Sequence, residues 1–308
     1  MVDPDTFLTT LYVMVDDFCK TDLAPEKGPG PKASLTRSEV VTLAIFGQWS
    51  VFGSERGFYR YAMHRLKAAF PTLPYRGQFN RLVRCHYEAI LAFFLHLADL
   101  MRARHCVYEA LDCSGVRTRD AKRRGAGWLP GQADIGWSNR LGWYEGFYLM
   151  TSVNPLGVIT GFSFASASAK DQPMAEDFFA FRHQPHPRLQ GVGWPALGEY
   201  FVDKGFEGET NHHRWYLQYG ARVLCPPKRN SKHPWPKRLR RWHAGLRQIV
   251  ETVFDKLHNA FGLSRERPHQ LAGFQVRLAA KVALHNFCIW FNQRLGRRPL
   301  AFADLLDW

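Results

Sequence analysis

The sequence predicts a mixed α/β fold preceded by an all-helical N-terminal third. Up to residue 104, apolar side chains recur at the spacing of helices with one buried face. Beyond it, short runs rich in Val, Ile, Phe, Tyr and Thr alternate with helical stretches, the pattern of strands covered by helices. Two of those runs end on an aspartate, Asp112 and Asp203, and a strongly periodic helix further on carries Glu251 on a polar face.

Residues 6–19 open the helical part, with Phe7, Leu8, Leu11, Val15 and Phe18 in one stripe. Residues 20–33, rich in Pro and Gly, form a loop. Thr36-Arg-Ser-Glu39 is a capping box: hydroxyl and carboxylate each satisfy a free backbone N–H, so a helix starts there and runs through Phe46. A second helix starts near Ser54 and must stop before Pro71, because proline disfavours the helical conformation of the residue before it. A third starts around Gln78 and runs past Leu100, with Phe79, Leu82, Val83, Ile90, Phe93 and Leu97 inward. Between the second and third the chain resembles a helix-turn-helix. Arg81 and Arg84, three apart on one face near the helix start, are its candidate DNA-reading residues; a solvated face is the alternative.

The α/β part begins with a short strand over 107–111. Runs 145–152 and 157–166 flank Asn154-Pro155-Leu156-Gly157 and read as a hairpin. Asp171 reads as the N-cap of a helix through Met174, Phe178 and Phe181. Short strands at 199–203 and 221–225 enclose a helix over 208–219. The remainder is helical. Over 240–261, Leu246, Val250, Val253, Phe254, Leu257 and Phe261 make the buried stripe, while Arg247, Glu251, Asp255 and His258 share another face. A helix over 271–295 has the composition of core. These elements divide into a helical domain, 1–104, and an α/β domain, 105–308, that includes the C-terminal helices.

Charge points to the partner. The 308 residues carry 41 Lys and Arg against 27 Asp and Glu, a net +14. The excess grows along the chain: +1 over 1–100, +5 over 101–232 and +8 over 233–308. That is the electrostatic footprint of a protein that binds a phosphate backbone. The stretch from Lys228 to Arg241 holds seven basic residues and no acidic one. Lys228, Arg229, Arg240 and Arg241 are therefore candidate backbone contacts, with Trp235 available to stack on an unpaired base; a solvated loop is the bland alternative. A second basic loop falls within 117–140, with Arg117, Arg119, Lys122, Arg123 and Arg124.

Other classes fit poorly. The acidic start Met1-Val-Asp-Pro-Asp is no export signal, and the longest apolar stretch, 89–98, is too short to span a bilayer. The six cysteines are scattered with no Cys-x-x-Cys pair, which argues against zinc and disulfide frameworks and for a reducing cytoplasm, where a DNA-backbone binder would be nucleoid-associated.

Three carboxylates remain. Asp112 and Asp203 end strands that one sheet can set side by side, and Glu251 can reach them from a helix. Such a set can hold two divalent ions about 3.5–4 Å apart for in-line displacement at phosphorus, and magnesium prefers hard oxygen ligands of this kind. Each has an ordinary alternative. Asp112 could cap the turn before Ser114-Gly115, Glu207 and Glu209 compete with Asp203, and Asp255 is the substitute for Glu251 one turn on.

Asp112-Cys-Ser, Trp143-Tyr-Glu-Gly-Phe-Tyr148, Val202-Asp203-Lys-Gly205 and Arg247-x3-Glu251 together resemble the motifs of a DDE insertion-sequence transposase with an RNase H-like catalytic domain. The resemblance covers about residues 105–295. The chain departs from the family pattern at Ala244, where a Tyr is usual, and at Tyr148, where many relatives have a Lys. The resemblance implies an RNase H-like mixed sheet flanked by helices, with Asp112, Asp203 and Glu251 as catalytic metal ligands. It also implies two Mg2+ ions, for which Mn2+ can substitute, and double-stranded DNA as partner, contacted also by Lys204 and Arg247. Cleavage followed by strand transfer at element ends, on a homodimer, is the implied activity. A structure-specific nuclease without strand joining and a non-catalytic DNA-binding protein are the alternatives.

Overall fold

The stripe Phe7, Leu8, Leu11, Val15 and Phe18 becomes the buried face of α1 (Pro4–Thr21) in the computed structural model. The structure describes residues 1–25, 33–103, 105–122, 127, 129–183, 198–228 and 231–308. Two units emerge, one from Met1–Leu97 with Lys256–Trp308, the other from Ala98–Asp255.

In the first unit the capping box forms as read: Thr36 Oγ1 accepts from the Glu39 N–H at 3.2 Å, and the Glu39 carboxylate accepts from the Thr36 N–H at 2.6 Å. It opens α2 (Arg37–Phe46), and Ser54 caps α3 (Glu55–Arg65). The expected third helix is two helices, α4 (Arg76–Cys85) and α5 (Tyr87–Leu100). Two findings correct the helix-turn-helix reading. Residues 66–75, with Pro71 and Pro74, separate α3 from α4, against the 3–4-residue turn of that motif. Because α4 begins at Arg76, Arg81 and Arg84 fall in its second half and not at its start.

The C-terminal helices also fall elsewhere than expected. From Lys256 on, the chain belongs to the same compact unit as the N-terminal helices. The cause is α9 (Leu271–Arg294), whose buried residues run almost unbroken from Val276 to Asn292 and so need neighbours on every side. Phe7 supplies one such contact, with its ring 5.1 Å from those of both Phe287 and Phe291.

The second unit is a mixed six-stranded sheet flanked by helices. Its strands are β1 (Tyr108–Asp120), β2 (Asp134–Ser138), β3 (Gly142–Val153), β4 (Ile159–Ser166), β5 (Glu199–Phe201) and β6 (Val223–Leu224). Spatially, β3 lies antiparallel to β1 on one edge and to β2 and β4 on the other, while β1, β5 and β6 run parallel. The hairpin at Asn154–Gly157 forms as expected, and β2 is a strand that the periodicity did not reveal. Leu111, Met150 and Val202 on one face pack with Phe178 and Phe179 of α6 (Asp171–His183) and Trp215 of α7 (Glu209–Tyr219). On the other face, Phe201 meets Trp242 and His243 of α8 (Lys237–Asn259), with ring centroids 5.4 Å apart in each case. This mixed sheet with flanking helices and a helical N-terminal region is the RNase H-like arrangement.

Candidate active site

Register builds the centre of the site. On the parallel strands β1 and β5, Ala110 pairs with Phe201. Two residues further on each strand stand Asp112, within β1, and Asp203, just past the end of β5, so they are near neighbours that point to the same face. The strand β1 runs on to Asp120, so Asp112 does not end its strand as expected. Leu111 and Val202 between them point the other way, into the core, and are fully buried. The apolar alternation that fixes the strands therefore also fixes the two carboxylates on the face that carries α8.

Arg247 arrives there from α8. Its Nη2 donates to Asp112 Oδ2 at 2.7 Å, while the Cys113 backbone N–H donates to Asp112 Oδ1 at 2.8 Å. The guanidinium is 13% exposed, so Arg247 faces the carboxylate and is not a free surface contact for DNA. Asp203 caps the 3-10 turn Lys204–Phe206, accepting from the Gly205 N–H, and the Cys225 thiol donates to its backbone carbonyl at 3.0 Å. Lys204 is exposed beside it.

Burial pushes the Asp112 carboxyl up to about 6. Arg247 and the Cys113 N–H pull it down, and the nearby charges of Asp203 and Asp171 add to the rise. Two ionised carboxylates beside a third repel one another, and a bound cation would remove that cost.

Asp171 is the residue the sequence reading placed outside the centre. It is the first residue of α6, one past the expected N-cap position, and it also lies within electrostatic reach of Asp203 and Asp112, beside the Tyr148 hydroxyl and the Cys113 thiol. Burial raises its carboxyl too. Its Oδ1 is buried with no hydrogen-bond partner among the described residues. The only signal in the sequence was its position at a helix start.

Glu251 stands one turn beyond Arg247 on α8 and is exposed. Asp255 is exposed a further turn on. Among the described residues no group of three His, Cys, Asp or Glu side chains is close enough to hold a metal ion. The donor chemistry nevertheless fits a hard divalent cation. Two adjacent carboxylates supply the anchor, an orphaned carboxylate oxygen lies nearby, and Mg2+ characteristically keeps waters and phosphate oxygens in its remaining positions.

The basic residues are spread more widely. Lys228 is exposed and pairs with Glu207 at 3.1 Å. Arg240 and Arg241 are exposed on the first turns of α8, which starts at Lys237, so that part of the basic stretch is helix and not loop. Trp235 is packed edge-to-face against His243, at 5.4 Å, and is not a free platform. Arg81 is exposed and Arg84 half-buried on α4. Arg229, Arg123 and Arg124 lie outside the described residues.

No helix among the described residues is long and apolar enough to cross a membrane. Comparisons with curated proteins and with solved structures find no match. A family model described as the transposase DDE domain matches residues 110–287, which begins at β1, takes in Asp112, Asp203 and Glu251, and ends inside α9. Spanning more than half of the sequence, that match shows that the chain belongs to the transposase DDE domain family.

Proposed function

We propose that this transposase cleaves DNA at insertion-sequence ends and joins the freed ends to a target, using Mg2+ at Asp112 and Asp203 with Glu251 as the third ligand. The observation that supports the reading is the parallel pairing of Ala110 with Phe201, two residues before Asp112 and Asp203, together with the Arg247 contact to Asp112 from α8. A divalent ion held there supplies Lewis-acid stabilisation of phosphate charge and a more acidic bound water.

The chain's own residues have distinct tasks. Asp112 must lose its proton before it can serve as a ligand, and Arg247 favours that loss by pairing with the ionised form. Arg247 also holds α8 against β1, so Glu251 one turn on is brought toward the same edge by a change of rotamer or a small helix shift. Lys204, Lys228, Arg229, Arg240 and Arg241 hold the backbone of double-stranded DNA, and Arg81 and Arg84 of α4 contact it separately. No Ser or Tyr nucleophile is needed, because water and then a DNA 3′-hydroxyl attack phosphorus.

Duplex DNA from the flanks of the gene, incubated with the protein and Mg2+, tests the proposal when nicking and joining are scored together. Both products are expected. Nicking without joining would make the chain a structure-specific nuclease. Binding with neither product would make it a non-catalytic DNA-binding protein.

A further inference from the structure

Two adjoining cavities in the unit formed by 1–97 and 256–308 are built by residues far apart in sequence. The first, about 450 Å3, is lined by Arg56 of α3, Arg76 and Asn80 of α4, and Arg265 and Arg267 from the segment after α8. The second, about 260 Å3, shares Asn80 and Arg267 and adds Arg84. Arg76, Asn80 and Arg84 follow at i, i+4 and i+8, so a single stripe of α4 faces the groove. Arg81 lies off that stripe and lines neither cavity.

The charge of this groove is unbalanced at its rim. Its two carboxylates are taken up by two deeper cations: Glu266 pairs with Arg277 at 2.8 Å and with Lys281 at 3.1 Å, and Glu55 pairs with Arg277 at 2.9 Å. Lys281 is held further by Gln48 Oε1 at 3.0 Å and the Phe261 carbonyl at 2.6 Å. Among the described residues, none of Arg56, Arg76, Arg84, Arg265 and Arg267 has a carboxylate partner. Arg265 and Arg267 donate to backbone carbonyls, of Ser50 at 3.3 Å and Glu266 at 2.7 Å, which aim them without neutralising them. Five guanidiniums converging on one groove repel one another unless an anion joins them.

We propose that this groove is a DNA-contacting surface separate from the carboxylate site, with Arg56, Arg76, Arg84, Arg265 and Arg267 holding backbone phosphates. Guanidinium forks match phosphate oxygens in pairs, which suits a phosphodiester better than a carboxylate-poor apolar ligand. The cavities admit a sugar-phosphate of one strand but no duplex, so the double helix lies along the rim where the unpaired charge is. Two of the five arginines come from the segment after α8 and one from α3, which makes α4 alone an incomplete DNA reader. The inference rests on DNA as the substrate.

The full-length R76Q/R265Q/R267Q variant, bound to a random-sequence duplex and titrated with KCl by fluorescence anisotropy, tests it. R60Q/K67Q/R298Q, with the same charge loss on exposed residues outside the groove, is the control. The groove variant should flatten the log–log salt slope by about 2.7 relative to wild type, roughly 0.9 per lost phosphate contact, and the control should leave it nearly unchanged. If the groove triple melts early, R76Q alone should lower the slope by about 0.9. An unchanged slope, or equal flattening by the control, overturns the groove. Wild type that binds duplex but never cuts sinks the catalytic proposal and leaves the groove to be judged by its slope. Wild type that binds no duplex overturns both.

Discussion

Burial lifts the Asp112 carboxyl to about 6, against 3.8 when it is free in solution. A carboxyl raised by folding is bound to its proton more tightly in the native state, so its contribution to stability is fully present below pH 3.8 and is lost as pH rises through 6. At pH 8 the ionised side chain costs about 3 kcal/mol relative to that limit. Asp112→Asn in metal-free buffer should therefore melt at a higher temperature than wild type at pH 8, with the gap closing toward pH 4. A lower melting temperature for the variant at pH 8 would mean that the Arg247 pair outweighs burial. The same protonation predicts that Mg2+ binding, followed by calorimetry, weakens as pH falls below about 6. On the chemical side, Asp112→Ala, Asp203→Ala and Glu251→Ala should each abolish cleavage while leaving DNA affinity nearly intact, because phosphate contacts come from other side chains. Asp255→Ala should be much milder than Glu251→Ala in single-turnover cleavage. The opposite ranking would move the third ligand one turn along α8.

Two elements depend on charge in opposite ways. At the start of α8 the charge is solvated: Arg240 and Arg241 are exposed, and Lys228 shares only Glu207. Replacing Lys228, Arg229, Arg240 and Arg241 by Ala should weaken DNA binding uniformly across sequences and lower the salt slope by about 0.9 for each real contact. A slope that stays put would reduce the segment to a basic linker. Between β1 and α6 the charge is buried. Arg182 pairs with Glu109, also receives support from Ser152 at 3.0 Å and Tyr200 at 3.2 Å, and neither partner of the pair is more than 3% exposed. Glu109→Ala strands a buried guanidinium and should destabilise the protein by about 3–5 kcal/mol in chemical denaturation. A loss below ~1 kcal/mol would show water reaching Arg182.

At the scale of the whole molecule, joining two element ends requires two carboxylate sites, and each chain offers one. We expect at least a dimer on end DNA, with the first 100 residues supplying contacts between copies because their net charge is only +1 against +13 for the rest. Mass measurement of the complex checks this, and a single protomer that completes strand transfer would refute it.

Much of this architecture was written locally. The capping box at Thr36, the hairpin at Asn154–Gly157, the apolar stripe of α8 and the aspartate just past β5 each depend on residues within a few positions of one another, and short-range sterics and burial are enough to specify them, whereas Asp112 falls inside β1, which β3 extends to Asp120. What needed the tertiary structure was everything set by a partner distant in sequence. Arg247 looks like a surface cation until β1, 135 residues away, turns it toward Asp112. Asp171 looks like a cap until Cys113 of β1 and Asp203 after β5 come to lie beside it. The strand β2 exists because β3 offers it an edge, and α9 joins the N-terminal helices because its all-round apolar surface is buried among them. Sequence period fixes which face of an element is buried; which neighbour buries it is decided by the competition among all such faces in the folded chain.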